Sequence, residues 1–166
     1  AAKLIERSNR PVIYAGGGII TSGASGELMA LAKKIQAPVT MTFMGLGCFP
    51  MTHPLCLGML GMHGTAYANH AIMESDLILA LGARFDDRVT GRIDAFAPHA
   101  KIIHVDIDPT SISKNIRVDV PIVGDAKKVL SEMLGYIKKL PDTGKWLHTV
   151  EKWKQDHPLF YKKDEK

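Results

Sequence analysis

Short apolar runs alternate with amphipathic stretches along most of this chain. Val12-Ile13-Tyr14-Ala15, Leu77-Ile78-Leu79-Ala80-Leu81 and Ile102-Ile103-His104-Val105 are nearly unbroken apolar segments. Runs of that length suit strands buried on both faces, as in a parallel sheet. Strands are expected at 11–15, 38–42, 77–81, 101–106 and 120–123. Between them the apolar period becomes helical. Leu28, Leu31, Ala32 and Ile35 recur at helical spacing and predict a helix over 24–35. Further helices are expected over 66–75 and 126–138. In the last of these Val129, Met133 and Ile137 share a face, and Asp125 suits the N-cap. The order is strand, helix, strand, long loop, helix, strand, long loop, strand, short helix, strand, helix. It predicts a doubly wound α/β domain, a mainly parallel sheet of five or six strands with helices on both faces.

The linker Leu140-Pro141-Asp142-Thr143-Gly144 interrupts the alternation. It predicts a nucleotide-binding domain over 1–140 and a trailing segment over 141–166. In that segment Trp146, Val150 and Trp153 form one apolar stripe of a further helix. The stripe either packs back on its own domain or docks on another body. At the other end, Ala2 to Ser8 read as a helix already under way and the chain does not start with Met, so an excised piece of a longer protein is expected. With 166 residues, 46% of them hydrophobic and 23% charged, the chain can bury one sizeable core. No apolar run nears the roughly 20 residues that span a bilayer, and no signal peptide is recognisable. A cytoplasmic location without membrane contact is expected.

The net charge of +4 invites a nucleic-acid partner, but its distribution argues against one. Up to Gly135 there are 13 Lys and Arg against 12 Asp and Glu, and from Tyr136 onward 8 against 5. Most of the excess sits in the tail, with no basic stripe carrying interleaved aromatics. Cys48 and Cys56 fit no zinc or CxxC spacing, and reduced thiols are expected. No HExxH, second His at ligand spacing or Cys/His cluster occurs, so no metal site is expected in this chain.

Candidate chemistry concentrates where strands end, which is where open α/β sheets bind ligands. After the third apolar run comes Gly82-Ala83-Arg84-Phe85-Asp86-Asp87-Arg88. Gly82 allows close backbone approach, and the forked donors of Arg84 and Arg88 suit phosphate or carboxylate. The bland alternative is a solvated loop of surface ion pairs. Gly16-Gly17-Gly18 ends the first strand, where amides without neighbouring Cβ atoms can approach a diphosphate, although a tight turn needs the same residues. The spacing is not GxGxxG. Asp106, at the end of another strand, can accept from two vicinal ribose hydroxyls. Asp108, just before Pro109, is the better turn former. Met62-His63-Gly64-Thr65 precedes a helix that Thr65 or Gly64 can cap. Thr42-Phe43-Met44-Gly45-Leu46-Gly47 reads from composition as a core-edge apolar loop, and Met-rich stretches such as this one often fill gaps.

These segments, in this order, resemble the central domain of acetohydroxyacid synthase (acetolactate synthase), a thiamine-diphosphate enzyme family. The likeness runs from about Arg10 to Leu134, with Met62-His63-Gly64 and Phe85-Asp86-Asp87-Arg88 as its most specific segments. It implies that FAD is held by Gly16, Gly17 and Gly18, by Thr42, Phe43 and Met44, and by Met62, His63, Gly64 and Thr65. Gly82, Ala83, Arg84, Asp86 and Arg88 would contribute from the next loop, then Asp106 and Ile107, and lastly Gly124 and Asp125. Met62, Asp87 and Arg88 would line the substrate channel, with Arg88 attracting the carboxylate of a 2-oxo acid.

The resemblance implies a larger enzyme that decarboxylates pyruvate on thiamine diphosphate and joins the two-carbon unit to pyruvate or 2-oxobutyrate. That step opens branched-chain amino-acid synthesis, and FAD is chiefly structural in it. Implied partners are the N- and C-terminal domains of the same polypeptide, further catalytic subunits in a homo-oligomer, and a small regulatory subunit. The resemblance also favours docking for the Trp146 stripe, because that segment leads into the third domain. The Gly-Asp-Gly and Asn-Asn motif for thiamine diphosphate and Mg2+ is absent from this sequence, and Gly124-Asp125-Ala126 is a false start. No catalytic residue is therefore expected here, and the isolated chain should be inactive. Two rivals stand beside this reading. One is another thiamine-dependent carboligase such as glyoxylate carboligase, against which Phe85-Asp86-Asp87-Arg88 speaks. The other is a nucleotide-binding or assembly module without catalysis.

Overall fold

The computed structural model describes residues 1–160; the last six residues of the trailing segment lie outside the described residues. Helix α1 (Ala2–Arg7) leads into β1 (Pro11–Ala15), the short α2 (Gly17–Thr21), α3 (Ser25–Ile35) and β2 (Val39–Met41). Strand β3 (Cys56–Met59), α4 (Ala66–Glu74), β4 (Leu77–Leu81) and the single turn α5 (Asp87–Thr90) follow. The chain continues through β5 (Lys101–Asp106), β6 (Val120–Val123), α6 (Ala126–Tyr136) and α7 (Gly144–Asp156). The six strands form one sheet in the order β3-β2-β1-β4-β5-β6, and every pairing is parallel. The chain steps outward from β1 in one direction, then returns and steps outward from β4 in the other. That is the doubly wound architecture predicted from the alternation of periods.

Both faces of the central strands are buried. Ile13, Ala15, Leu79, Leu81, Ile103 and Val105 face one way, against Leu28, Leu31 and Ile35 of α3 and Leu130 and Met133 of α6. Val12, Tyr14, Ile78, Ala80 and Ile102 face the other way, against Ala68, Ala71 and Ile72 of α4. The period-2 alternation of strand side chains thus serves two cores at once, so neither face shows a polar stripe. The helix starts follow local chemistry. Thr65 accepts from the Ala68 amide at 3.1 Å and Asp125 from the Lys128 amide at 3.1 Å, each satisfying an amide that the first turn leaves unpaired.

Two expectations need correction. The loop expected between 42 and 66 contains a strand, β3, which pairs with β2 across a register shift. Its apolar run, Leu55-Cys56-Leu57-Gly58-Met59-Leu60, was a usable signal. Gly58 sits at φ +73 and interrupts the extended pattern, and glycine within a run argues locally for a turn or bulge. The Trp146 stripe does not wait for another body. Helix α7 folds back on its own domain, burying Trp146 and Val150 with Val12, Tyr14, Ala71 and Ile72. The Trp146 Nε1–H donates to the Pro11 carbonyl at 3.1 Å, and Lys154 Nζ donates to the Pro54 carbonyl.

The bond from Trp146 has a specific cause. Ile13 pairs with Val39, and the Ile13 amide donates to the Pro38 carbonyl. One step down a parallel ladder, the donor for the Pro11 carbonyl would be the amide of residue 38. Residue 38 is proline and has no N–H. Two prolines end the β1–β2 ladder, and the indole supplies the donor it lacks.

Candidate functional site

All six strands point their carboxyl ends to one side, and the winding reverses between β1 and β4. At that switch the loops diverge and leave a crevice. A cleft of about 710 Å³ opens there. Tyr14, Gly17, Gly18, Phe43, Met44, Gly82 and Ala83 line it. Met62, His63, Arg84, Asp86, Arg88 and Asp106 line it as well, the last four bringing charge to the cleft.

The aim of the charged residues follows from one aromatic anchor. After Gly82 the chain runs extended, so alternate side chains point opposite ways. Ala83 and Phe85 are buried while Arg84 and Asp86 are exposed. Phe85 packs against the rings of Tyr14 and His104, each at 5.5 Å, and of Phe96 at 5.8 Å. Neither Arg84 nor Arg88 has a carboxylate within ion-pair distance among the described residues. The reading of this loop as a cluster of surface ion pairs is not what the structure adopts: two guanidinium groups stand unpaired at a cleft.

The glycines of the first loop act partly on each other. A Cβ on Gly16 would overlap the Gly82 carbonyl, and one on Gly18 would stand 2.7 Å from the Gly82 Cα. The Gly16 amide donates to the Leu81 carbonyl at 3.0 Å, and the Gly18 amide to Gly82 at 3.1 Å. Two of the three amides are therefore spent on joining the β1 and β4 loops. Gly17, the first residue of α2, has no intrahelical acceptor for its amide and lines the cleft.

The remaining loops are built from local turns. Thr42 Oγ1 accepts from the Gly45 amide at 2.9 Å, which presents Phe43 and Met44 outward, 74% and 72% exposed. Met62, at 75%, completes an exposed apolar rim. Its amide donates to the Arg88 carbonyl at 3.1 Å, so the Met62 loop is tied to α5. Gly64 packs against the Met59–Gly61 backbone, and the Thr65 hydroxyl donates to the Leu57 carbonyl at 2.7 Å. Asp106 accepts from the Asp108 amide at 2.9 Å and turns toward the cleft. Asp108 performs the turn-forming duty, accepting from the Thr110 amide at 2.9 Å.

Of the residues singled out in the sequence, the structure gathers Gly17, Gly18, Thr42, Phe43, Met44, Met62, His63, Gly82, Ala83, Arg84, Asp86, Arg88 and Asp106 around one cleft. Gly16, Gly64, Thr65, Asp87, Ile107, Gly124 and Asp125 lie outside its wall. Tyr14, Met59, Leu60, Val89 and Ser111 line it without having been anticipated. Tyr14 sat inside an apolar run, where nothing local distinguishes a core ring from one that lines a cleft. Its phenol is pushed above its ordinary value by burial and secondarily by the Asp86 carboxylate, so it stays a neutral O–H.

The sequence signature of the family described as thiamine pyrophosphate enzyme, central domain, matches residues 1–133. This chain belongs to that family. The thiamine-enzyme central domain is 57% identical over 157 residues to a "Probable acetolactate synthase large subunit" of Methanocaldococcus jannaschii, covering 93% of this chain and 27% of that protein. It is 51% identical over 166 residues to the acetolactate synthase large subunit of Buchnera aphidicola subsp. Schizaphis graminum, covering 98% and 29%. With the acetolactate synthase large subunit of Cyanidium caldarium the identity is 50% over 170 residues, covering 99% and 29%. The chain thus spans less than a third of the length of these relatives. Helix α7 extends the packed unit beyond the family match, because its apolar stripe closes the α4 face of the sheet. No helix among the described residues is long and apolar enough to cross a membrane.

Proposed function

We propose that this central domain holds FAD in the cleft at the β1–β4 switch, within the catalytic subunit of an acetolactate synthase. The observation that carries the reading is the cleft itself, which sets the unpaired Arg84 and Arg88 beside Asp106 at a topological switch point. The donor set fits a flavin dinucleotide. Arg84 would pair with the diphosphate through its fork, and the amide of Gly17 would add a second donor. Asp106 would accept from the ribose hydroxyls. Phe43, Met44 and Met62 would border the flavin, with apolar faces that otherwise stay in water. FAD bound there would serve as a wall of the substrate path and not as an electron carrier.

Arg88 and Asp87 would face that path, Arg88 drawing in the carboxylate of pyruvate or 2-oxobutyrate. Thiamine diphosphate and Mg2+ do not fit this chain, since it lacks the Gly-Asp-Gly and Asn-Asn motif. They would be held by the N- and C-terminal domains of the longer polypeptide, in a homo-oligomer joined by a small regulatory subunit. The exposed rim of Phe43, Met44 and Met62 supports cover by another part of that assembly.

The test is titration of the chain with FAD, followed by quenching of flavin fluorescence. Saturable but weak binding is expected, because a half-covered site loses contacts that offset ordering costs. Arg84→Ala should weaken it roughly ten- to a hundredfold, the range of a hydrogen bond to a charged group, about 1.5–3 kcal/mol. No saturable quenching by the wild-type chain would overturn the reading.

A further inference from the structure

One fully buried polar ring joins two of the loops that line the cleft. His104, on β5, has its Nε2 2.8 Å from the Ala83 carbonyl. The same nitrogen lies 4.0 Å from Asp106 Oδ2. The ring of Phe85 meets the imidazole edge-on at 5.5 Å. Ala83 and Asp106 are both cleft residues, and Phe85 is the anchor that turns Arg84 and Asp86 outward.

The chemistry of the contact is determined by the acceptor. A carbonyl only accepts, so Nε2 carries the proton and donates it. Nδ1 is then an acceptor, and it is buried with no partner among the described residues. Burial, opposed by the Ala83 carbonyl and Asp106, pulls the imidazole below its ordinary value and keeps it neutral. The unpaired Nδ1 costs stability, and an apolar side chain of similar volume would remove that cost only by leaving the Ala83 carbonyl without a donor. Packing alone therefore does not account for an imidazole here. What an apolar side chain would lack is the N–H aimed at Ala83.

We propose that His104 is a positioning residue for the dinucleotide cleft: its Nε2–H holds the Ala83 carbonyl, fixes the Gly82–Asp86 backbone over the sheet, and so sets the aim of Arg84 and Asp86. The β4 and β5 loops are already joined at their base by the strand ladder and by the Gly82 amide, which donates to the Val105 carbonyl at 2.8 Å, and His104 adds the bond one residue further along. The inference rests on the reading of this cleft as a FAD site. His104 itself touches no ligand.

Two readouts test it, on the wild-type chain, His104→Leu and His104→Gln. Glutamine keeps an N–H donor of comparable reach, while leucine removes it. Amide hydrogen exchange at Gly82 and Gly18, whose N–H groups donate to the Val105 and Gly82 carbonyls at 2.8 and 3.1 Å, should be at least about tenfold faster in His104→Leu and close to wild type in His104→Gln, because loss of a positioning bond loosens local opening. FAD titration should show binding weakened by about tenfold or more in His104→Leu and by under about threefold in His104→Gln. Melting without FAD should separate the two variants by only a few degrees, since leucine removes the unpaired Nδ1 while leaving the Ala83 carbonyl without its donor, and the two changes offset. Unchanged exchange and unchanged FAD affinity in His104→Leu would overturn the proposal. So would equal loss in both variants, which would reduce the residue to a space-filler. If the wild-type chain itself fails to bind FAD, the flavin reading falls, and the exchange data still decide whether His104 fixes the loop.

Discussion

Replacing Trp146 with phenylalanine isolates the bond that closes the β1–β2 ladder. Trp146 is 4% exposed, its ring meets Trp153 edge-on at 5.6 Å, and its indole N–H reaches Pro11. Phenylalanine keeps an aromatic ring but leaves the Pro11 carbonyl unpaired in a buried place. That costs about 1–3 kcal/mol, a large share of the roughly 5–15 kcal/mol that holds a domain together. At roughly 2–4 °C per kcal/mol for a chain this size, melting should fall by about 2–12 °C. The ladder argument adds a sharper test. Pro38→Ala restores an amide at the position that should donate to Pro11. On its own it should cost about 0.4–1 kcal/mol through the freer unfolded chain. In its background, however, Trp146→Phe should cost at least about 1 kcal/mol less than in wild type, because a second donor is available. The assay is urea unfolding followed by far-ultraviolet circular dichroism, which does not depend on the tryptophan removed. Equal costs in the two backgrounds would refute the register argument. A cost below about 0.5 kcal/mol for Trp146→Phe in wild type would refute the bond itself.

Three further outcomes are expected. Cys48 and Cys56 are buried free thiols, and burial pushes Cys48 up to about 11 and Cys56 in the same direction; at pH 8 both should react with a disulfide reagent only as fast as the domain opens, and rapid labelling of the folded chain would contradict this. Glu6 accepts from the amides of Lys138 and Lys139 at 2.7 and 3.1 Å, which holds its carboxyl below the ordinary 4.5. Its folded-state value lies below its unfolded one, so the stabilisation is complete above about pH 4.5 and is lost as pH falls through the depressed value. Glu6→Gln should flatten that part of the acid-unfolding profile, and an unchanged profile would show that the contact carries no linkage. Under the proposed acetolactate synthase function, Arg88→Ala in the longer polypeptide should lower kcat/KM for pyruvate roughly ten- to a hundredfold, and Arg88→Lys should also lose activity, because an ammonium cannot reproduce the planar fork; unchanged values in both would leave Arg88 outside the substrate path.

Local pattern alone determined a large part of this protein. Nearly unbroken apolar runs marked β1, β4 and β5 and their parallel arrangement, because burial on both faces removes polar alternation. Helical spacing marked α3, α4 and α6, and Thr65, Asp108 and Asp125 were recognisable as caps because capping is settled within three residues. The strand-end loops showed where charge and glycine gather. Tertiary structure alone decided the rest, and each case turns on a partner distant in sequence. Gly16 and Gly18 spend their amides about sixty-five residues away, on Leu81 and Gly82, which glycine spacing cannot report. Helix α7 returns to the sheet by burying its apolar stripe, and its indole at position 146 satisfies the Pro11 carbonyl that Pro38 cannot. Arg84 and Asp86 face the cleft because Phe85 between them is held by rings from β1 and β5. Hydrophobic period is a property of neighbours along the chain. Which buried polar group finds which partner is a property of the packed whole.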